Sequence, residues 1–426
     1  MPASLTSVRR DDSRTTVGEV ARASNLAPPG RALGVVLSLL TVFGPISMDL
    51  YLPVLPALTA DLGASTSAAQ LTVTACLLGL ALGQVVAGPL SDRFGRRRPL
   101  LIGVGAFIAA SAWCAVSQTI EMLVAARLVQ GLTGAVGIVI AQAAGRDLYS
   151  GARLLRYYGR LTVLGGLAAI VGPVIGGQLA TVTDWRGTFV FLAVVGVAIL
   201  AASAGVLRET LPPGSRRAGG LSDTGRVFRR LVSERVFLGA VLITGFVNAA
   251  LFAYLSGATF VLQGIYGLSP QGYSYAFGLN SLGFMVFGFL AGRIAERWSV
   301  YGTLVAGLIM VVAGAGGVLL TATAHLPLAA MVVSLLTMVS GVAVTTPPST
   351  SLALENYPEV AGSAASLLGL ARFAFGGVTA PLVGLAGPET AVPLGVVTVT
   401  AALLGLVGYV LLRPPTAGTP EHRAFA

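Results

Sequence analysis

The sequence is poor in charged residues and contains no lysine. Charged side chains make up 10% of the 426 residues, whereas soluble globular proteins carry roughly 25%. The two cysteines lie in apolar runs and the two histidines stand alone, so we expect neither a disulfide framework nor a metal site. A chain with so little charge cannot cover a surface that faces water. Cytosolic, disordered and fibrous proteins are therefore excluded.

Long apolar runs take the place of the missing charge. Hydrophobic residues make up 55% of the chain, and the mean hydropathy is +0.83. A bilayer core about 30 Å thick is crossed by about 20 apolar helical residues. Twelve runs reach this length, at residues 32–56, 69–91, 99–118, 121–145, 159–182, 186–208, 236–262, 270–293, 300–323, 327–349, 360–386 and 390–413. We therefore predict an all-α integral membrane protein with twelve transmembrane helices.

The arginines predict how these helices are oriented. With twelve helices, 24 of the 27 arginines fall on one side of the membrane, in residues 1–31, 93–98, 146–160, 208–235, 293–297 and 413–426. Arginine-rich loops face the cytoplasm, so both termini are predicted to be cytoplasmic and the membrane to be the inner (plasma) membrane. The net charge of +10 then reflects topology, and no nucleic-acid partner is expected because no soluble segment could form a basic face.

One long polar segment, 209–235, divides the twelve runs into two sets of six. The motif GPLSDR at 88–93 ends the second run, and the similar GFLAGR at 288–293 ends the eighth. Duplicated halves are typical of secondary transporters. The repeat predicts two pseudo-symmetric six-helix bundles. The expected domains are a cytoplasmic tail at 1–31, bundles at 32–208 and 236–413, the linker at 209–235 and a second tail at 414–426.

Four motifs resemble those of the major facilitator superfamily. GPLSDRFGRRR at 88–98 resembles its loop 2–3 signature, and RLVQG at 127–131 resembles the helix 4 motif of proton-coupled members. GGLAAIVGPVIGG at 165–177 resembles the helix 5 motif of drug exporters. SMDLYLPVLP at 47–56 with RDLY at 146–149 is similar to the Bcr/CflA branch of drug:proton antiporters. The resemblance covers essentially the whole chain.

The resemblance implies export of small hydrophobic or cationic drugs in exchange for protons, by alternating access. The proton gradient is the expected energy source, with no cofactor and with a monomer in the lipid bilayer as the working unit. The alternative is a proton-coupled transporter of a metabolite such as a sugar, an organic acid or an amino-acid derivative. An enzyme is not expected, because the outer loops carry only isolated acids. ATP-driven transport is not expected either, because no GxxxxGK[ST] motif occurs.

Two charges inside the apolar runs are candidates for proton coupling. Asp49 lies in the first run, where an ionised carboxylate costs about 2.5–3.5 kcal/mol. We predict that it binds a proton or a cationic substrate; the alternative is an interfacial residue wetted by an outer vestibule. By resemblance, Arg127 acts on a carboxylate across the cavity, with Gln130 as its hydrogen-bonding support. The alternative is an arginine that snorkels to the membrane surface.

Asp92, Arg96 and Asp147 are expected, by resemblance, to form a cytoplasmic charge cluster that locks the two halves in the outward-facing state. Asp92 lies near a helix C-terminus, where the helix dipole disfavours an anion, so it needs a partner. Ordinary anchoring by arginine explains Arg97 and Arg98 but does not explain an aspartate among them.

Small residues and a few polar groups complete the candidate site. Small residues allow transmembrane helices to touch, and the resemblance implies a flexible, leak-proof interface at Gly172, Pro173, Gly176 and Gly177. A polyspecific pocket is mostly apolar with a few polar groups; we expect Tyr51, Gln130 and Asn280 to line it. Arg372 has two interpretations, as a cavity residue or as a structural partner of Glu355 or Glu359.

Overall fold

The computed structural model describes residues 31–149, 151–212, 221–297, 299–354, 361–385, 387 and 389–412. Glu355 and Glu359 lie outside these residues, and so do the two predicted tails except for Arg31. The helices of the described part are α1 (Arg31–Asp49), α2 (Leu55–Asp61), α3 (Thr66–Phe94), α4 (Arg97–Ala115), α5 (Ile120–Leu148), α6 (Gly151–Val182), α7 (Trp185–Val206), α8 (Leu221–Ser233), α9 (Arg235–Phe260), α10 (Pro270–Arg297), α11 (Val300–Thr323), α12 (Leu328–Leu354), α13 (Ala361–Thr379) and α14 (Val392–Leu412).

A helix covers each of the twelve apolar runs predicted from the sequence. In the described residues, eleven helical segments are long and apolar enough to cross a membrane, and α1 with α2 counts as one of them. The remaining run lies in α6, whose described apolar stretch is Ile170–Val182. The short α8 lies in the polar segment between the two sets of six.

Side-chain caps set the beginnings of several of these helices. The residues before α3, α5, α7 and α11 accept a hydrogen bond from a backbone N–H in the first turn; they are Ser65, Thr119, Asp184 and Ser299. Such caps satisfy backbone donors that the helix itself leaves free. The boundaries therefore follow from local sequence as well as from hydropathy.

Proline interrupts the first span directly after Asp49. Helix α1 ends at Asp49, a 3₁₀ turn follows at Leu52–Val54, and α2 continues from Leu55. A proline has no N–H and cannot extend the helical ladder. The carbonyls of Leu52 and Pro53 accept from Thr259 Oγ1 (2.9 Å) and Gln263 Nε2 (3.0 Å), two side chains near the end of α9. The Leu52 carbonyl also accepts from the Leu55 N–H within the turn.

Helices α1–α7 pack as a first bundle and α9–α14 as a second. Six hydrogen bonds between described residues join the bundles; their donors are Ser67, Gln70, Thr259, Gln263, Gln271 and Ser274. All of them lie close to the turns at 62–65, 183–184 and 266–269, which we call the sealed end. The opposite end, which carries residues 94–97 and 207–212, is called here the arginine-rich end.

Close packing within the first bundle depends on glycine. A Cβ atom on Gly79 of α3 would overlap the Leu128 carbonyl oxygen of α5 and lie 2.7 Å from the Leu132 nitrogen. A Cβ on Gly131 would likewise overlap the Cys76 carbonyl oxygen of α3. The two helices therefore touch backbone to backbone, as small residues permit in membranes.

We expect Gly79→Ala to destabilise the protein by about 1–3 kcal/mol, because the new methyl group overpacks the α3–α5 contact. Thermal unfolding of the detergent-solubilised protein measures the change. Gly105→Ala is the matched control, since a Cβ there meets open space; its expected effect is neutral to stabilising by about 0.5–1 kcal/mol. Equal effects of the two substitutions would contradict this account of the packing.

Candidate functional site

Arg127 is the largest fully buried side chain in the described part of the chain, with 0% exposure. It lies on α5 and donates through Nη1 to the Gln130 side-chain oxygen and to the Ser47 carbonyl oxygen (3.2 Å). This burial excludes the snorkelling alternative. None of the described carboxylates forms an ion pair with Arg127, so its predicted action on a carboxylate stays a prediction.

Two aromatic rings take the place of a carboxylate beside Arg127. Its guanidinium carbon lies 4.2 Å from the centre of the Tyr51 ring and 5.6 Å from that of Phe189. A desolvated cation over aromatic faces gains about 2 kcal/mol or more. The Nε and Nη2 atoms have no hydrogen-bond partner within the described residues. Ring contacts therefore carry part of the stabilisation of this buried charge.

Gln130 connects Arg127 to helix α4. Its Nε2 donates to Ser111 Oγ (2.8 Å), and its oxygen lies 3.9 Å from Cys114 Sγ. Ser111 in turn donates to the Phe107 carbonyl oxygen (2.8 Å). The amide is thus held in one orientation, with its oxygen turned toward the cation.

Asp49 lies in the same region at the end of α1 and is 6% exposed, so it is buried in this conformation, in which the sealed end is closed. No described side chain donates a hydrogen bond to its carboxylate. The cation that attracts it electrostatically is Arg372 of α13, in the second bundle. Arg372 has a buried Nε without a hydrogen-bond partner in the described residues. Because Glu355 and Glu359 lie outside the described residues, the choice between the two interpretations of Arg372 stays a prediction.

The glycine motif of α6 lies between Asp49 and the second bundle. A Cβ on Gly172 would lie 3.1 Å from the Asp49 Cβ, and one on Gly176 would overlap the Leu50 carbonyl oxygen. On the other side of the helix, Ser274 Oγ of α10 donates to the Pro173 carbonyl oxygen (2.7 Å). Gln271 donates to the Gly177 carbonyl oxygen (3.1 Å). This segment contacts both bundles at the sealed end.

Asn280 belongs to a separate polar group in the second bundle. Its Nδ2 donates to the Tyr254 hydroxyl (2.9 Å), and the Tyr254 ring stacks on Phe277 at 5.7 Å. Asn280, Tyr51 and Gln130 are all at most 1% exposed. These three predicted cavity residues are closed off from solvent in this conformation, and the structure does not bring Asn280 into contact with the other two. Their cavity role stays a prediction.

The predicted charge cluster comes together at the arginine-rich end. Arg96 contacts Asp92 Oδ1 (2.6 Å), Asp147 Oδ2 (3.0 Å) and Ser91 Oγ (2.7 Å). Burial lowers the pKa of the Arg96 guanidinium, but hydrogen bonds to Asp147 and Asp92 outweigh it, and the net pKa is raised. All of these partners belong to the first bundle, so in this conformation the described cluster does not bridge the two bundles.

A comparison with protein families identifies the architecture. The sequence pattern of the Major Facilitator Superfamily matches residues 37–381. The chain belongs to the major facilitator superfamily. The predicted all-α fold of twelve transmembrane helices in two six-helix bundles is confirmed, and the protein is a membrane transporter and not an enzyme.

Relatives and a solved structure agree with this assignment. An uncharacterised MFS-type transporter, YdgK, of Bacillus subtilis is 37% identical over 394 residues, covering 91% of this chain and 96% of the relative. Multidrug resistance protein D of Escherichia coli is 31% identical over 396 residues, with 91% and 96% covered. The crystal structure of the nucleoside transporter NupG superposes with a TM-score of 0.73 at 12% identity, covering 89% of this chain and 100% of that one. This last similarity concerns the fold alone.

Some residues of the site were not predicted from the sequence. Ser111, Cys114 and Phe189 surround Arg127 and Gln130, but their residue types are ordinary in an apolar helix. Ser111 and Cys114 are three residues apart and therefore lie on one face of their helix. This spacing was the signal in the sequence that could have identified them. The electrostatic pairing of Arg372 with Asp49 had no local signal, because the two residues are 323 positions apart in the chain.

We expect Gln130→Leu to cost about 1–3 kcal/mol of stability, because it leaves the Arg127 guanidinium without its side-chain acceptor. The double variant Arg127→Met/Gln130→Leu is expected to lose less stability than the sum of the losses of the two single variants. The measurement is a double-mutant cycle. It uses thermal unfolding in detergent of the wild type, both single variants and the double variant. Additive costs would mean that the two side chains are not coupled.

Proposed function

We propose that this protein exports small hydrophobic or cationic drugs across the plasma membrane in exchange for protons, by alternating access between its two bundles. The observation that carries the proposal is Asp49. It is a buried carboxylate without a described hydrogen-bond donor, next to a break in its helix and opposite a cation of the other bundle. The relation to multidrug resistance protein D supports a drug-like substrate.

Asp49 has two ways to avoid the cost of an isolated buried charge. It can remain ionised while Arg372 is near, or it can bind a proton or a cationic substrate. Because the two residues lie in different bundles, movement of one bundle against the other changes their separation. Proton binding is thereby coupled to conformation, which proton-driven transport requires.

In this proposal both termini lie in the cytoplasm, as the arginine distribution favours. The sealed end is then the outer end, and the path between the bundles opens toward the cytoplasm. Protons enter down their gradient and drive the outward half of the cycle. The working unit is a monomer in the bilayer, and no cofactor takes part. The domain boundaries are those expected from the sequence, with a cytoplasmic linker at 209–235.

Two further groups of residues control the conformational change in this proposal. Gly172, Pro173, Gly176 and Gly177 let α6 slide against α10 while keeping the sealed end tight. A Cβ on Gly177 would overlap Ser274 Oγ of α10, and larger side chains at Gly172 and Gly176 would press on Asp49 and Leu50 of the first span. The Asp92–Arg96–Asp147 cluster holds the arginine-rich end of the first bundle in a defined shape. Arg127 and Gln130 keep the broken end of α1 in position through Ser47.

Asp49→Asn is expected to reduce export to background, because asparagine neither carries a charge nor binds a proton. The measurement is drug-induced proton release from everted membrane vesicles, together with drug susceptibility of the cells. Asp61→Asn is the matched control, since Asp61 lies in the same span but pairs at the sealed end with the exposed Arg186. The control is expected to retain export.

Three outcomes of this experiment count against the proposal. Unchanged proton release in Asp49→Asn would remove Asp49 from the mechanism. No drug-induced proton release by the wild-type protein would overturn antiport. Proton release induced by a sugar, an organic acid or an amino-acid derivative, but by no drug, would favour the metabolite transporter.

The role of Arg372 is tested by its charge. Arg372→Gln removes the countercharge of Asp49, and we expect most of the drug-induced proton release to be lost. Arg372→Lys keeps a cation at the position and is expected to retain part of it, since the interaction is electrostatic and no paired hydrogen bonds are described. Arg293→Gln is the control, because that arginine stacks on the Phe289 ring and faces no carboxylate among the described residues. Equal activity of the glutamine and lysine variants would contradict a role for the charge.

A further inference from the structure

Helix α4 begins without a side-chain cap of its own. Arg96 occupies its N-cap position and makes no capping hydrogen bond with its side chain. The carboxylate of Glu209 takes over this task from outside the helix. Its two oxygens accept from the backbone N–H groups of Arg96 (2.7 Å) and Arg97 (3.3 Å). An anion at this position is stabilised by free N–H groups and by the helix dipole.

The loop before α4 has the shape that this carboxylate needs. Gly95 has a backbone φ of +86°, a conformation that residues other than glycine rarely adopt. A Cβ atom on Gly95 would also overlap the carboxylate of Glu209. Both the backbone angle and the free space therefore require glycine here, and together they form a recess that Glu209 fills.

The residue after Glu209 reaches the charge cluster directly. Thr210 Oγ1 donates to Asp147 Oδ2 (3.0 Å), the same oxygen that accepts from Arg96 Nε (3.0 Å). Leu211 is buried, and its N–H donates back to Glu209 Oε1 (3.1 Å). We call residues 209–211 the latch. They are the first residues of the polar segment that leads to the second bundle.

We infer that the latch couples the linker between the bundles to the Asp92–Arg96–Asp147 cluster, with Glu209 as a positioning residue for Arg96. The inference rests on alternating access, which is part of the proposed function. Glu209 is exposed, so its side chain is held in place by hydrogen bonds and by its charge, and not by packing against other side chains. The contacts of Glu209 can therefore break and form without disturbing the packed core, and a shift of the linker is transmitted to Arg96 through the backbone of the 94–97 turn.

The test measures the distance between the bundles at the arginine-rich end. Spin labels are attached at Arg98→Cys and Arg297→Cys, two exposed positions in different bundles, in a background lacking Cys76 and Cys114. The labels report two populations, one with the bundles close together at the arginine-rich end and one with them apart. We expect Glu209→Gln to change the ratio of these populations by about two- to fivefold, which is the effect of removing an anion from a helix N-terminus. Glu209→Asp is expected to give an intermediate ratio. Glu121→Gln, an exposed acid in the first turn of α5 at the sealed end, is the control.

A second variant keeps the inference testable if Glu209→Gln unfolds. Thr210→Val has nearly the same volume and removes only the hydrogen bond to Asp147, so we expect the same direction of change in a folded protein. Thermal unfolding of each variant shows whether a shift comes from lost structure. Distance populations in Glu209→Gln and Thr210→Val equal to those of Glu121→Gln would overturn the latch. Because the distance measurement needs neither drug nor proton gradient, absence of drug export with shifted distances would overturn the proposed function and leave the latch standing.

Discussion

A charge inside the hydrocarbon region must find its compensation within the protein, and the rest of this structure depends on how two such charges do so. Arg127 is compensated locally, by an amide, a carbonyl and two aromatic rings. Asp49 is not: its described counterpart is Arg372, in the other bundle. Arg127 is compensated within one bundle, whereas the attraction between Asp49 and Arg372 acts across the interface and depends on conformation. No described ion pair joins Asp49 to Arg372.

The joint between the bundles uses the same principle for backbone groups. Proline follows α1 and lies within α6, and three of the six hydrogen bonds that join the bundles are formed there. The carbonyls of Leu52, Pro53 and Pro173 accept from side chains of α9 and α10. Backbone carbonyls without a helical partner must be satisfied inside a membrane. Water can replace these side-chain donors when the sealed end opens, so the contact between the bundles is specific and reversible.

Hydropathy predicted the twelve helices and the repeated motif predicted the two bundles, because each depends on residues close together in sequence or on a repeated pattern. The cluster of Asp92, Arg96 and Asp147 was implied by the resemblance to the family. The same reasoning did not predict that Glu209 caps α4. A glutamate in a polar linker has no distinctive context, and its role depends on the recess beside Gly95. The predicted action of Arg127 on a carboxylate across the cavity stays a prediction, because its described hydrogen-bond acceptors are an amide and a carbonyl.

What the sequence by itself determined is the set of helices, because a bilayer requires every spanning segment to satisfy its own backbone hydrogen bonds within an apolar run of fixed length. Proline by itself did not determine where α1 ends, since α1 contains Pro45 without a break. The tertiary structure alone decided which charges meet. Rotation of each helix about its axis and the approach of the two bundles bring Arg372 toward Asp49 and Glu209 onto α4, and neither is encoded in the local pattern of residues.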